Sequence, residues 1–296
     1  MSFVSPGRLY VEKQKAITDF EHVLAYAEFL RNESGLNGIL PVDLGKIFEH
    51  FQIPEPKSIP LPQQQGLLLD AERGIIVINS SDPEKRQKFT KAHELVEMLF
   101  TELPQGKDLG GGWELKRPGG FKESTKEFLC NWTAANLLMP TSFVQNEIKK
   151  LGANFDCART IADACEVSLS AALVQVARIS NEGHFVILWR MKNKPAELKN
   201  NSDASQLTMF EIKNTTPAKK LRVEWRLGGN NLLYIPKDKS IENTSLIHQA
   251  WETNTFIAGK VQIAFDNRKL TWYSSENMPF TINDERYVIS LMRKTG

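Results

Sequence analysis

The chain has 296 residues, 41% hydrophobic and 24% charged, which is enough apolar matter for two or three packed domains. Its formal charge of +2 excludes a strongly basic binder of nucleic acid or membrane surface, and no apolar run approaches the roughly 20 residues that span a bilayer. Three cysteines without a C-x-x-C pair suit reduced thiols, and the opening MSFVSPGRLYVEK lacks the pattern of a secretory signal, so a cytoplasmic location is expected. Charge is uneven along the chain: residues 190–294 carry 17 Lys/Arg against 11 Asp/Glu, or +6, leaving −4 for the rest.

Taken in order, Lys13 to Arg31 places apolar residues at helical spacing (Ile17, Phe20, Val23, Leu24, Ala27, Leu30) and predicts one amphipathic helix. Gly35 and Gly38 end it, and Pro41 introduces a second helix over Val42 to Phe51. His22 and His50 lie on these helices without ligand spacing and are expected to be surface or packing residues. A proline-rich connection (Pro54, Pro56, Pro60, Pro62) precedes GLLLDAERGIIVINS, which predicts two short strands around a turn at Gly74. Such a sheet could offer its edge to an extended peptide.

The stretch KFTKAHELVEMLF, residues 88–100, predicts a helix begun by Ser81, Asp82 and Pro83 and stopped by Pro104. His93 and Glu97 are four apart, so they share a face with Cβ atoms about 5–6 Å apart, a gap that a metal can bridge. Glu94 follows His93, where zinc hydrolases of the H-E-x-x-H type keep the carboxylate that activates water. The motif here reads H-E-x-x-E. The glycine-rich run PQGKDLGGGWELKRPGG then predicts a long loop, either a lip over the site carrying Trp113 and Leu115 or a surface excursion. Phe121 to Met139 predicts a further helix, ended by Pro140. Glu123 and Glu127 stand one turn apart on it, and either could reach a metal held by the first.

Two blocks, RQKFTKAHELVE and EFLCNWTAANLLMP, resemble the ImmA/IrrE family of metallopeptidases. Arg86, Phe89, Thr90, Ala92, His93, Glu94 and Leu95 match the family's first block; Glu127, Asn131, Ala134, Ala135, Leu137, Leu138, Met139 and Pro140 fall in step with its second. Position by position, the resemblance implies metal ligands His93, Glu97 (where the family has its second histidine) and Glu127, with Glu94 as the general base acting on a metal-bound water. It implies zinc, although a carboxylate-rich set also admits manganese or iron(II). The substrate implied is a protein, in the family a repressor-like transcription factor. Val96 for glycine and Glu97 for histidine are the two departures.

Residues 157–180 have a helix-turn-helix look, but Leu169 to Ile179 offers only Gln175 and Arg178 as base-reading side chains, so DNA binding is not expected. HFVILWRMKNK predicts a strand leaving this domain. Residues 191–206 read as a linker, and 207–296 alternate strand patterns with one helical stretch, where His248 and Trp251 are expected to be structural. The expectation is an α+β chain: a zincin-like helical metallopeptidase domain with a small β-sheet (1–190, including the helix-turn-helix-like segment), then a small, mostly antiparallel α+β C-terminal domain (207–296). The competing expectations are a non-catalytic relative acting as a binding or regulatory module, with Glu97 paired to Lys91 or a similar cation, and a DNA-binding regulator.

Overall fold

A histidine and a glutamate one helical turn apart make a site only if other elements close around them, and two layers do so here. The computed structural model describes residues 3–15, 17, 19–103, 125–195, 218–228, 235–265 and 269–295. Glu123, the glycine-rich stretch with Trp113 and Leu115, Pro104 and most of the expected linker lie outside them. The chain divides into two compact units, residues 1–152 with 156–175, and 153–155 with 176–296.

The first unit begins with α1 (Pro6–Gln14), α2 (Phe20–Glu33) and α3 (Leu44–Phe51). The single helix expected over Lys13 to Arg31 is two helices. Asp19 caps the second by accepting from the His22 amide at 2.9 Å, a start signal that outweighs continuation of the apolar period. Lys15, at φ 64°, turns the chain between them. Tyr10 of α1 packs on Tyr26 and Phe29 of α2 with ring centroids 5.1 Å apart in each pair. Gly7 brings α1 onto the motif helix, because a Cβ there would fall 2.5 Å from the Met98 carbonyl oxygen.

Strands β1 (Lys57–Ile59), β2 (Gly66–Asp70) and β3 (Ile75–Asn79) form a sheet in the order β1-β3-β2. The expected β2–β3 pair is antiparallel. The parallel partner β1 comes from the proline-rich connection, where no alternation signalled a strand. Helix α4 (Glu84–Thr101) follows. It starts after Pro83 with no side-chain cap, because the proline ring has no oxygen to accept an amide. Leu95, Val96, Met98 and Leu99 are buried to within 1%, and burying each contributes roughly 1.5–3 kcal/mol. Helix α5 (Thr125–Leu138) packs on α4 and α2; α6 (Thr141–Leu151), α7 (Phe155–Cys165) and α8 (Leu169–Ile179) follow.

In the second unit, β4 (Phe185–Lys192), β5 (Lys220–Gly228), β6 (Ile257–Ile263), β7 (Thr271–Ile282) and β8 (Glu285–Lys294) form an antiparallel sheet, β5-β4-β8-β7-β6, with helix α9 (Leu246–Thr253). Strand β4, expected to leave the first domain, lies between β5 and β8. Its Phe185, Ile187 and Trp189 share one buried cluster with Ile247 and Ala250 of α9 and with Val288 and Met292 of β8. Trp251 donates to the Arg286 carbonyl at 3.2 Å and faces the His248 ring at 5.7 Å, so this pair packs within its own unit. No single helix among the described residues is long and apolar enough to cross a membrane.

Candidate metal centre

Helix α4 crosses behind β2 and beside α5, and the cleft between them, of about 280 Å³, is lined by Gln64, Gln65, Gly66, Phe89, Thr90, His93, Glu94, Glu127 and Asn131. Gly66 sets how closely strand and helix approach. A Cβ there would fall 2.3 Å from Thr90 Cγ2 and 2.9 Å from Glu94 Oε1, both inside van der Waals contact, so only glycine fits without displacement. Spacing in the sequence did not single out this residue, nor the two glutamines before it.

The structure brings His93, Glu94 and Glu97 together, with one ligand atom from each lying within 4.8 Å of the others. Glu127 joins from α5, its Oε2 3.7 Å from His93 Nε2. His93 Nδ1 faces Asn131 Oδ1 at 3.2 Å. An amide oxygen can only accept, so Nδ1 is the donor of this pair and Nε2 is the nitrogen turned toward Glu127. Asn131, matched in the sequence only as part of the second block, thereby orients the imidazole.

Glu94 is 4% exposed. Burial, then the neighbouring Glu97 carboxylate, pushes its pKa up from 4.5 to about 8, against a smaller opposing effect of the Leu68 backbone. Its Oε2 is buried without a hydrogen-bond partner. Glu97 behaves oppositely. Burial raises it, but the Lys126 ammonium, which donates to its Oε1, outweighs burial and holds it below the usual carboxylate range. The cation paired with Glu97 is thus Lys126, from the first turn of α5. Lys91 instead lies 3.7 Å from Glu55. Nothing in the spacing of the two helices pointed to Lys126. Cys130, a turn further along α5, is fully buried, and that burial pushes its thiol pKa well up. All three cysteines are free and buried.

These residues fit a divalent cation. An imidazole nitrogen and carboxylates on two helices converge, one buried carboxylate oxygen is unsatisfied, and the donors are the N/O types that zinc, manganese and iron(II) accept. Gln175 of α8 is fully buried and donates to Asn136 Oδ1 of α5 at 2.7 Å. One of the two side chains on α8 that could have read bases is therefore spent on packing.

Residues 57–176 match the family model described as the IrrE N-terminal-like domain. The radiation response metalloprotease IrrE of Deinococcus radiodurans is 33% identical over 118 residues, 40% of this chain and 34% of that protein. Its counterpart in Deinococcus deserti is 33% identical over 119 residues, 40% of this chain and 41% of that protein. The chain thus aligns with well under half the length of these curated relatives. Among solved structures, a Mycobacterium tuberculosis transcriptional regulator shares the fold with a TM-score of 0.55 at 9% identity, over 98% of this chain and 80% of that one.

Proposed function

We propose that the chain, whose residues 57–176 match the IrrE N-terminal-like domain and align at 33% identity with the IrrE metalloproteases, is a metal-dependent endopeptidase of the ImmA/IrrE family acting on a specific regulatory protein. The carrying observation is that His93, Glu94 and Glu127 line one cleft while Glu97 brings a ligand atom within 4.8 Å of those of His93 and Glu94. His93 Nε2, Glu97 and Glu127 hold the metal, zinc or a harder ion such as manganese or iron(II). When bound, the cation supplies Lewis acidity toward a peptide carbonyl. Asn131 fixes the imidazole through Nδ1. Glu94 accepts the proton of the attacking water at a carboxylate oxygen and returns it to the leaving amine. Its buried position makes it a strong base once ionised, and a nearby divalent charge favours the ionised form. The substrate is an extended segment of a repressor-like transcription factor, met in a cleft rich in amide side chains, Gln64, Gln65 and Asn131. Labelling of new protein N-termini in a host lysate tests this reading. Termini should appear with wild-type protein plus zinc or manganese, and vanish with chelator or with Glu94→Gln. Equal cleavage by Glu94→Gln would remove Glu94 from the chemistry.

One observation favours a second reading. The Lys126–Glu97 ion pair supplies Glu97 with a cation without any metal, as a non-catalytic binding or regulatory module would need. Metal analysis separates the two: protein equilibrated with excess zinc or manganese binds about one divalent ion per chain for the peptidase and none for the module.

A further inference from the structure

Three carboxylates, Glu94, Glu97 and Glu127, surround His93, and Lys126 brings the ammonium that meets one of them. Lys126 donates to Glu97 Oε1. The residue stands one position before Glu127 on α5, so both helices that would supply metal ligands also supply this ion pair. The Lys126 side chain is 42% exposed and that of Glu97 23%. The pair is thus partly open to solvent, so a long flexible side chain can leave into water with its stem still on the protein surface. Glu97 is also the position at which this chain departs from the family's histidine. A neutral imidazole offers an ammonium no opposite charge, whereas a carboxylate does.

We infer that Lys126 is an internal competitor for the metal: its ammonium occupies the Glu97 oxygen that a divalent ion needs, and loading the metal requires Lys126 to swing out. This rests on the metal site of the peptidase reading and adds to it a residue that sets how readily the site fills. Without metal, the ammonium neutralises Glu97 and keeps a carboxylate-rich cleft folded. With metal, the same charge opposes binding twice, by holding a ligand and by repelling the cation. The site is therefore tuned to fill only when the free ion is abundant.

The test is calorimetric titration of the full chain with zinc and, separately, with manganese, using wild type, Lys126→Met and Lys126→Arg, with folding checked by circular dichroism. Lys126→Met keeps the stem and removes the charge; it should bind each ion about tenfold or more tightly than wild type. Lys126→Arg keeps the charge and should bind as weakly as wild type. In a Glu97→His background, where Lys126 loses its acceptor and turns to solvent, the gain from Lys126→Met should fall to less than about twofold. Equal affinity of wild type and Lys126→Met overturns the competition while leaving the metal site standing. A gain that persists undiminished beside His at position 97 shows a general charge effect and also overturns it. Absence of metal binding in wild type and Lys126→Met alike overturns both the competition and the peptidase reading.

Discussion

Replacing Glu94 by Gln removes an ionisable group from a position that is 4% exposed, and the consequence for stability has a definite sign and pH range. In the metal-free protein the Glu94 carboxyl titrates near 8, raised from 4.5 first by burial and then by Glu97. The folded chain holds this proton over a pH range in which the unfolded chain has lost it. The stability that the group contributes is complete below about pH 4.5 and is lost as pH rises through about 8. At about 1.4 kcal/mol per unit, ionising the buried carboxyl costs on the order of 4–5 kcal/mol above pH 8 and little at pH 5. Glutamine has the same shape, never ionises, and can donate its amide N–H to Glu97. Thermal unfolding in chelator, from pH 5 to pH 9, should therefore show Glu94→Gln and wild type nearly equal at pH 5. The variant should become progressively more stable, by on the order of 10 °C at pH 9, at the 2–4 °C per kcal/mol typical of a domain this size. Saturating zinc should shrink or invert the gap, because a cation beside the cleft stabilises the ionised wild type. A difference that does not change with pH, or a variant less stable than wild type at pH 9, would refute the buried-carboxyl account.

Further substitutions probe the parts of the site separately. Asn131→Ala removes the acceptor at His93 Nδ1; metal affinity by calorimetry should fall about 10–100-fold, with the metal-free unfolding midpoint almost unmoved. Glu97→His exchanges a hard oxygen donor for an imidazole and should raise the ratio of zinc to manganese affinity by about tenfold or more, read by competition between the two ions. Gly66→Ala drives a Cβ toward Thr90 Cγ2 and Glu94 Oε1 and should cost roughly 1–3 kcal/mol in denaturant unfolding. Adding Thr90→Ser removes the clashing methyl, keeps the hydroxyl bond to the Arg86 carbonyl, and should recover about half of that loss.

The motif helix and its partner α5 were legible because their periods, prolines and paired blocks act locally, within a few turns of one chain segment. Strand β4 was harder to place. FVILW is a continuous apolar run that announces a buried strand without saying which sheet buries it, and its pairing with β8 joins residues about a hundred positions apart. β1 was missed for a related reason: three exposed residues carry no alternation, and only the parallel neighbour makes them a strand. Lys126 was the least legible feature and bears most on the site. Its partner is set by how α5 is rotated against α4, which no spacing within either helix records. Read alone, Glu97 is a histidine lost from a metal motif. Opposite Lys126 it is also half of an ion pair, and a histidine there would leave that ammonium without its counter-charge. The two residues therefore act as one pair across two helices, in which ligand chemistry at position 97 and charge at position 126 together decide whether the cation at Glu97 is a metal ion or a side chain.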